Sequence, residues 1–249
     1  MLRRHAIASL LAAGAWGKSV DGWFAGAHGG AVLLDRKTRR VIAAQMPDLA
    51  GPPGSTLKPL VLETLMERGR LHAEETFPCP GDLRLQGRSF ACTHPPVSVP
   101  LTVRTAIAYS CNCFAAHFAS RFGAVELARE LEAWGIEAHP APLALQALGE
   151  EGVVATPATL AAAYARLAGR ASAAVKAGME DAVAYGTAQR ARVAGLAIAG
   201  KTGSGRNAAW FAGFTDTVAI AVLVQGRSGG ADAAPVAARI LEAHARGRL

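Results

Sequence analysis

Residues 196–224, LAIAGKTGSGRNAAWFAGFTDTVAIAVLV, contain three short apolar runs that are separated by polar turns. The runs span residues 196–199, 209–214 and 218–224. Apolar runs of this length, bounded by turn residues, are typical of buried β-strands. Parallel strands need long crossover connections, so runs that lie this close together favour antiparallel pairing. The stretch therefore predicts an antiparallel sheet near the end of the chain.

The beginning of the chain also predicts strands. Residues 30–35 and 41–44 are apolar, and the polar stretch between them predicts a hairpin. A Pro- and Gly-rich loop follows over 46–54, and a long proline-containing irregular segment is expected over 73–101. Helical spacing of apolar residues predicts helices over 55–69, 102–122 with a break near Ser110, 124–134, 156–167, 179–190 and 234–245.

Strands thus lie at both ends of the chain and helices in the middle. This order predicts an α/β (α+β) fold, in which an antiparallel sheet is completed by the N- and C-terminal segments and is flanked by helices, with a mostly helical insert. The chain has 249 residues, of which 51% are apolar, so it is long enough and apolar enough to bury a large core. We expect a single domain over 30–249.

The first residues have the order of a secretory signal peptide. A basic start, Met1-Leu2-Arg3-Arg4, precedes an apolar run over 6–15 that ends in the small residues Ala13-Gly14-Ala15. We expect a signal peptide over 1–15, an N-terminal segment over 16–29, and export to the periplasm or another extracytoplasmic compartment. An ordinary N-terminal helix is the alternative.

The net charge is +7, but the basic residues are scattered along the chain. No ribonucleoprotein motif, zinc-finger spacing or arginine-rich arm is present, so we do not expect a nucleic-acid partner. A solvated basic surface is the simplest interpretation, with loose attraction to the anionic cell envelope as its functional counterpart.

The four cysteines fall into two pairs. Cys79 and Cys92 flank a stretch that can turn back on itself, so they are a candidate disulfide in an exported protein. Cys111 and Cys113 lie two residues apart, and on a helix they would point to nearly opposite sides. A zinc site built from all four is therefore not expected, and Cys111 and Cys113 are predicted to be small buried side chains.

The segment Gly54-Ser55-Thr56-Leu57-Lys58 carries the first chemical signal. Ser55 and Lys58 are three residues apart at a predicted helix start, so they share one face of the helix. A serine hydroxyl is a weak nucleophile until a base takes its proton, and a lysine whose pKa is lowered by burial can be that base. A serine N-cap followed by an exposed lysine is the alternative.

Two further motifs make the signal specific. Ser110-Cys111-Asn112 lies at the predicted break between helices, and Lys201-Thr202-Gly203-Ser204 follows an apolar run. The order Ser-x-x-Lys, Ser-x-Asn, Lys-Thr-Gly is the motif set of penicillin-binding proteins and serine β-lactamases.

From about Gly30 to Ala245 the chain resembles the transpeptidase domain of the penicillin-binding proteins, within the serine D,D-peptidase and β-lactamase superfamily. Besides the three motifs, the stretches that carry the resemblance are 31–35 with 41–44, 152–157, 185–188 and 209–214. The resemblance implies a D-Ala-D-Ala transpeptidase or carboxypeptidase that acts on peptidoglycan stem peptides, binds β-lactams and needs no metal or organic cofactor.

The resemblance also implies a role for each motif residue. Ser55 would attack the substrate carbonyl and Lys58 would be the base. Ser110 would relay a proton to the leaving group, and Asn112 would bind the substrate amide. The substrate carboxylate would be bound by Lys201 and Thr202. The oxyanion hole would consist of the backbone N–H groups of Ser55 and Ser204, and Gly203 is the glycine of the third motif.

Other classes of protein differ from this chain at particular residues. Residues 195–202 also satisfy the P-loop pattern, but their middle is strand-like and a hairpin follows, where a phosphate-binding loop needs a helix. A class A β-lactamase would need a Glu-x-x-Leu-Asn motif, which is absent. A class D enzyme would have Ser-x-Val where this chain has Ser110-Cys111-Asn112. A class D-like β-lactamase and a β-lactam sensor stay open as alternatives.

Overall fold

The computed structural model describes residue 18 and residues 20–249, so the predicted signal peptide over 1–15 lies outside the described residues. In chain order the strands are β1 (Gly29–Asp35), β2 (Val41–Gln45), β3 (Arg84–Leu85), β4 (Arg88–Ser89), β5 (Glu137–Ala138), β6 (Val153–Val154), β7 (Ala199–Gly205), β8 (Ala208–Phe214) and β9 (Val218–Val224). The helices are α1 (Lys58–Glu67), α2 (Val103–Ala108), α3 (Asn112–Ala119), α4 (Glu126–Ala133), α5 (Leu143–Ala147), α6 (Pro157–Leu167), α7 (Ala173–Ala184) and α8 (Ala234–Ala245). No helix among these described residues is long and apolar enough to cross a membrane.

The main sheet has five strands in the order β2-β1-β9-β8-β7, and every neighbouring pair is antiparallel. The N-terminal hairpin therefore completes a sheet whose other three strands come from the end of the chain. This confirms the predicted fold class. The two-residue strands form separate small pairs, β3 with β4 and β5 with β6.

Apolar side chains pack on both faces of the sheet. One face, which includes Trp210 and Leu223, contributes to a core with α1 to α6 and the start of α7. The other face, which includes Phe211 and Val222, packs with α8 and the end of α7. Because β8 and β9 are buried on both faces, their sequences are nearly continuous apolar runs and not an alternating pattern.

Several predicted helices are present, and one was misplaced. The break near Ser110 is real, since α2 ends at Ala108 and α3 begins at Asn112. The helix predicted over 179–190 is wrong in its bounds, because α7 runs over 173–184 and the Ser172 hydroxyl accepts from the Val175 N–H at its start. Helix α5 was not predicted.

The strand predicted over 196–199 was also misplaced. Strand β7 begins at Ala199 and continues through Gly205, so it includes the whole Lys-Thr-Gly motif. Regular backbone pairing with β8 holds these residues in the strand although they are polar or glycine. Lys201 and Thr202 thus lie inside a hairpin strand, which excludes the P-loop alternative.

Candidate active site

Ser55 lies in a short 3₁₀ turn, Gly54–Leu57, that leads directly into α1. Gly54 has a φ of +55°, in the left-handed region that favours glycine. A Cβ at this position would lie 2.9 Å from the Ser204 carbonyl oxygen, so the turn packs closely against β7. The glycine thus brings the Ser55 segment and the third motif together.

Two buried aromatic side chains form hydrogen bonds to the backbone of this turn. The Tyr164 hydroxyl donates to the Thr56 carbonyl oxygen at 2.7 Å, and the Trp210 indole N–H donates to the Pro52 carbonyl oxygen at 2.8 Å. Both aromatic side chains are 0% exposed. These hydrogen bonds fix the backbone on either side of Ser55, and no sequence motif had indicated them.

Lys58, the first residue of α1, is 1% exposed. Its Nζ donates to the Ser110 carbonyl oxygen at 2.7 Å and to Asn112 Oδ1 at 2.5 Å. Burial lowers the pKa of Lys58 to about 8, against an opposing effect of the nearby cysteines. The same Nζ lies 3.4 Å from the Ser110 hydroxyl, so a neutral Lys58 can donate its two N–H groups to the first two acceptors and keep its lone pair for a proton. The structure contradicts the alternative of an exposed lysine.

Ser110 lies at the junction between α2 and α3 with a φ of +58°. This left-handed conformation costs a non-glycine residue about 1–2 kcal/mol, and such strain tends to occur at functional sites. The Ser110 hydroxyl accepts from Lys201 Nζ at 2.7 Å and lies 3.4 Å from Lys58 Nζ. The Asn112 amide donates to the Phe90 carbonyl oxygen at 2.9 Å, which orients its Oδ1 toward Lys58.

The third motif lies on β7, at the edge of the sheet. Lys201 is 0% exposed, and burial, followed by the charge of Lys58, lowers the pKa of Lys201 well below its usual range. Its Nζ also donates to the Thr202 carbonyl oxygen at 3.0 Å. The Thr202 hydroxyl donates to Thr187 Oγ1 at 2.9 Å. The buried amines of Lys58 and Lys201 thus lie on either side of the Ser110 hydroxyl and form a short chain of polar groups with it.

Gly203 lets β7 approach the Ser55 segment. A Cβ at Gly203 would overlap the Pro53 carbonyl oxygen and lie 3.0 Å from the Thr56 methyl group. The Ser204 hydroxyl accepts from the Gly229 N–H at 3.0 Å, which ties the end of the motif to the segment before α8. The glycine of the third motif is therefore required by close backbone packing.

The motif residues meet in one cavity of about 640 Å³. Ser55, Ser110, Asn112, Thr202 and Ser204 line it. Within residues 20–249 no hydrogen bond joins the Ser55 hydroxyl to Lys58. Catalytic hydrogen bonds often form only when substrate is bound, so a serine and lysine without a hydrogen bond between them can still act as a pair.

The cavity also contains polar residues that the sequence reasoning missed. Thr187, Glu150 and Arg227 line it with the motif residues. Thr187 lies in the stretch 185–188 that carried part of the family resemblance, so its contact with Thr202 had a sequence signal. Arg227 follows β9 without a motif around it, and only the tertiary structure reveals it.

The predicted disulfide is not formed in the structure. Cys79 and Cys92 are free thiols whose Sγ atoms lie 3.6 Å apart, whereas a disulfide bond is about 2.05 Å long. Their proximity agrees with the predicted turn between them. The disulfide itself stays a prediction.

The expectation that Cys111 and Cys113 point to opposite sides was wrong in its geometry. Cys111 is the N-cap of α3 with a ψ of 120°, so it is not helical and the helical spacing does not apply. Each of the two sulfurs lies 3.6 Å from Cys92 Sγ. Both side chains are buried, as predicted. Hydrogen bonds from the Cys111 thiol and from backbone N–H groups lower the pKa of Cys92 to about 4, against the effect of burial.

Comparisons with known proteins identify the family and the fold of this chain. The family model of the penicillin-binding protein transpeptidase domain matches residues 29–171 and 144–242. PBP2 of Pseudomonas aeruginosa, whose crystal structure was solved in complex with WCK 5153, has the same fold: the TM-score is 0.78 at 20% identity, over 90% of this chain and 72% of that chain. No match was found among curated proteins. Because the family match spans most of the described sequence, the chain belongs to the penicillin-binding protein transpeptidase domain family.

Proposed function

We propose that this chain is a serine D,D-transpeptidase or carboxypeptidase that acts on peptidoglycan stem peptides through an acyl-enzyme at Ser55. The observation that carries the proposal is the pair of buried amines, Lys58 and Lys201, which lie 3.4 Å and 2.7 Å from the hydroxyl of Ser110, a residue that lines the same cavity as Ser55. Such a pair has few structural uses, because burying two ammonium groups together is costly. It suits proton transfer.

The first step is acylation. Ser55 Oγ attacks the carbonyl carbon of the penultimate D-Ala, and the hydroxyl proton passes to the lone pair of Lys58 Nζ. The C–N bond to the terminal D-Ala then breaks. Ser110 relays a proton to the departing amine, so that an ester at Ser55 and a free D-Ala result. The lowered pKa of Lys58 supports this role, since a useful base is partly neutral near neutral pH.

The second step releases the acyl group. An amine from another stem peptide gives transpeptidation, and water gives carboxypeptidation. Either one forms a bond to the ester carbonyl carbon and gives a proton to Lys58, and the bond between Ser55 Oγ and the acyl carbon then breaks. Lys58 returns the proton to Ser55 Oγ, and the acyl group leaves bonded to the acceptor. The proposal covers both acceptors.

The residues of the third motif, Lys201 to Ser204, would bind the substrate. We place the terminal carboxylate at Lys201 and Thr202, and the oxyanion between the backbone N–H groups of Ser55 and Ser204. The close packing of Gly54 and Gly203 between these segments supports an oxyanion site, because it keeps the two backbones in contact. Each such donor is typically worth about 10²–10³ in rate.

β-Lactams would acylate the same serine. A class D-like β-lactamase would need a base that activates water against the ester, such as a carbamylated lysine. The Lys58 amine is already bound to the Ser110 carbonyl oxygen and to Asn112, which argues against a carbamate at that nitrogen. We therefore favour a penicillin target or sensor over a β-lactamase.

Incubation with a labelled penicillin, followed by intact mass over time, tests the proposal. We expect one adduct per chain, mapped by peptide sequencing to Ser55, and absent in Ser55→Ala. After removal of excess penicillin the adduct should persist for minutes to hours. Label on Ser110 would refute the assignment of the nucleophile. Turnover at about 1 s⁻¹ or faster would make the protein a β-lactamase.

The setting of this activity is part of the proposal. Peptidoglycan stem peptides are extracytoplasmic, so we propose that the chain is exported, and that its net charge of +7 favours loose contact with the anionic envelope. Fractionation of cells that produce the full-length chain would test export. Recovery of the protein only with the cytoplasm would contradict it.

A further inference from the structure

Four potential metal ligands converge beside the active site. Cys79, Cys92 and His94 come from the irregular segment over 73–101, and Cys111 comes from the Ser-x-Asn motif. One ligand atom from each lies within 4.8 Å of every other. Neither the proposed catalysis nor the family motifs account for this cluster.

The spacing of the ligand atoms matches a tetrahedral zinc site. With Zn–S near 2.3 Å and Zn–N near 2.05 Å, a tetrahedron has S···S edges of about 3.8 Å and S···N edges of about 3.6 Å. The Sγ atoms of Cys79, Cys92 and Cys111 lie 3.6, 3.6 and 3.4 Å apart, and Cys79 Sγ lies 3.6 Å from His94 Nε2. The two remaining edges, from His94 Nε2 to Cys92 Sγ and to Cys111 Sγ, are within 4.8 Å, so a shift of the imidazole toward these sulfurs would complete the tetrahedron.

The three sulfurs also receive backbone hydrogen bonds. The Gly81 N–H donates to Cys79 Sγ at 3.4 Å, and the Asn112 N–H donates to Cys92 Sγ at 3.3 Å. The Phe114 N–H at the start of α3 donates to Cys111 Sγ at 3.4 Å. Donors of this kind stabilise thiolates, which are the form of cysteine that binds metal.

The imidazole of His94 is oriented in the same way. Its Nδ1 lies 2.8 Å from the Pro95 carbonyl oxygen, so Nδ1 carries the proton and Nε2 presents its lone pair toward Cys79. A hydrogen bond from the second ring nitrogen to a carbonyl oxygen is the usual support of a metal-binding histidine.

We propose that Cys79, Cys92, His94 and Cys111 bind one Zn²⁺ ion in a closed structural site, which would take the place of the disulfide predicted between Cys79 and Cys92. Three thiolates and one imidazole suit Zn²⁺ better than Mg²⁺ or Ca²⁺, which prefer oxygen ligands. All four positions are filled by protein, so the ion has no open position for substrate. It is a structural ion, distinct from the acylation chemistry at Ser55.

The ion links the irregular segment to the catalytic motif. Cys111 lies between Ser110 and Asn112, while the other three ligands belong to a segment whose regular structure is limited to β3 and β4. Binding of Zn²⁺ would hold this segment against the junction of α2 and α3. The four ligands are thus positioning residues for Ser110 and Asn112.

The test is metal content by mass spectrometry of the full chain, purified with reductant and without added chelator. We expect about one Zn²⁺ per chain, and a near-complete loss in Cys79→Ser, Cys92→Ser and His94→Ala. The matched control is Cys113→Ser: its Sγ lies 3.6 Å from Cys92 Sγ but also 3.6 Å from the Asp82 carbonyl oxygen, and it is outside the four-ligand set. This control should keep its zinc.

Cobalt gives a readout that needs no variant. Chelator-treated wild-type protein, titrated with Co²⁺, should show thiolate-to-cobalt charge transfer and the visible bands of a tetrahedral site, saturating at one ion per chain. His94→Cys should restore the zinc that His94→Ala loses. These readouts do not involve penicillin, so their failure would leave the proposed function standing.

Several outcomes would overturn the site. Zinc content that is unchanged in all three ligand variants would identify an adventitious ion only. Equal loss of zinc in Cys113→Ser would show that the four proposed ligands are not the right set. A metal-free chain that gives no cobalt spectrum under reducing conditions, or a Cys79–Cys92 disulfide that survives purification with reductant, would refute it. If the ion positions Ser110, chelation should slow penicillin acylation by about tenfold to a hundredfold, and Zn²⁺ should restore it.

Discussion

Two walls of the active-site cavity, here called the sheet wall and the junction wall, are held in place by different kinds of contact. The sheet wall is β7, whose seven residues each pair with one residue of β8 and are mostly buried. The junction wall consists of residues 73–101 and Ser110–Asn112. The regular structure of residues 73–101 is limited to the two-residue strands β3 and β4, and two non-glycine residues of this wall, Gln86 and Ser110, have a left-handed conformation. Backbone pairing holds the first wall, and particular side chains hold the second.

This contrast teaches where the catalytic geometry is vulnerable. A strand that is hydrogen-bonded along its length tolerates polar residues and glycine, which is how β7 carries the Lys-Thr-Gly motif. The junction wall depends on contacts such as the Arg88–Glu150 ion pair at 2.9 Å, which is partly exposed, and on the sulfur cluster. An exposed ion pair contributes at most about 1 kcal/mol. The proposed Zn²⁺ site at Cys79, Cys92, His94 and Cys111 would hold this wall more strongly than such an ion pair.

The largest effect is expected at Lys58, whose Nζ donates to Ser110 and Asn112 of the junction wall. Lys58→Met should cut the rate of acylation by penicillin by about 10²–10⁴, because the base is lost, while the protein stays folded. Stopped-flow or quenched mass measurements would give the rate, and circular dichroism the fold. Lys176→Met is the matched control, since Lys176 is exposed and forms an ion pair with Glu180 on the same helix. An unchanged rate in folded Lys58→Met would remove Lys58 from the mechanism.

The sheet wall can be broken without touching a polar group. Gly203→Ala should reduce acylation by about 10²-fold, because its Cβ would overlap the Pro53 carbonyl oxygen and shift the Ser55 and Ser204 backbones apart. Gly205→Ala is the control on the same strand, since its Cβ would make only ordinary contacts at 3.5 Å or more. Equal rates for the two variants would contradict the close-packing argument.

A pH profile sharpens the assignment of the base. Lys58 accepts a proton only when it is neutral, and its pKa is lowered to about 8. Acylation by penicillin should therefore rise about fiftyfold between pH 6 and pH 8 and then level off. Single-turnover labelling at each pH measures this, with thermal unfolding as a check on folding. A flat profile across that range would exclude a lysine base of this pKa.

The smallest effect concerns strain in the junction wall. Both Ser110→Ala and Ser110→Gly remove the hydroxyl, so both should acylate slowly. Only glycine relieves the left-handed conformation at φ +58°, so Ser110→Gly should be more stable than Ser110→Ala by about 1 kcal/mol. Urea unfolding of the pair gives the difference. Equal stabilities would mean that the conformation stores no strain.

Much of the fold could be predicted because its signals are local. The antiparallel sheet follows from short apolar runs at both ends of the chain, and the break near Ser110 follows from a change in helical spacing. The three motifs placed Ser55, Lys58, Ser110, Asn112 and Lys201 in one site through the family resemblance. Boundaries were less predictable. Strand β7 extends through polar residues and glycines because of its pairing with β8, which no single segment encodes.

The sequence alone determined which residue types are available and in what order: a serine and a lysine one helical turn apart, a buried strand pair and four cysteines. Tertiary structure decided their chemistry. Contacts between distant segments bury Lys58 and Lys201 and bring Cys111 next to residues 79–94. They also place Tyr164 and Trp210 where these side chains bind the backbone of the Ser55 turn. Burial and three-dimensional proximity set pKa values and ligand geometry, and neither is a property of local sequence.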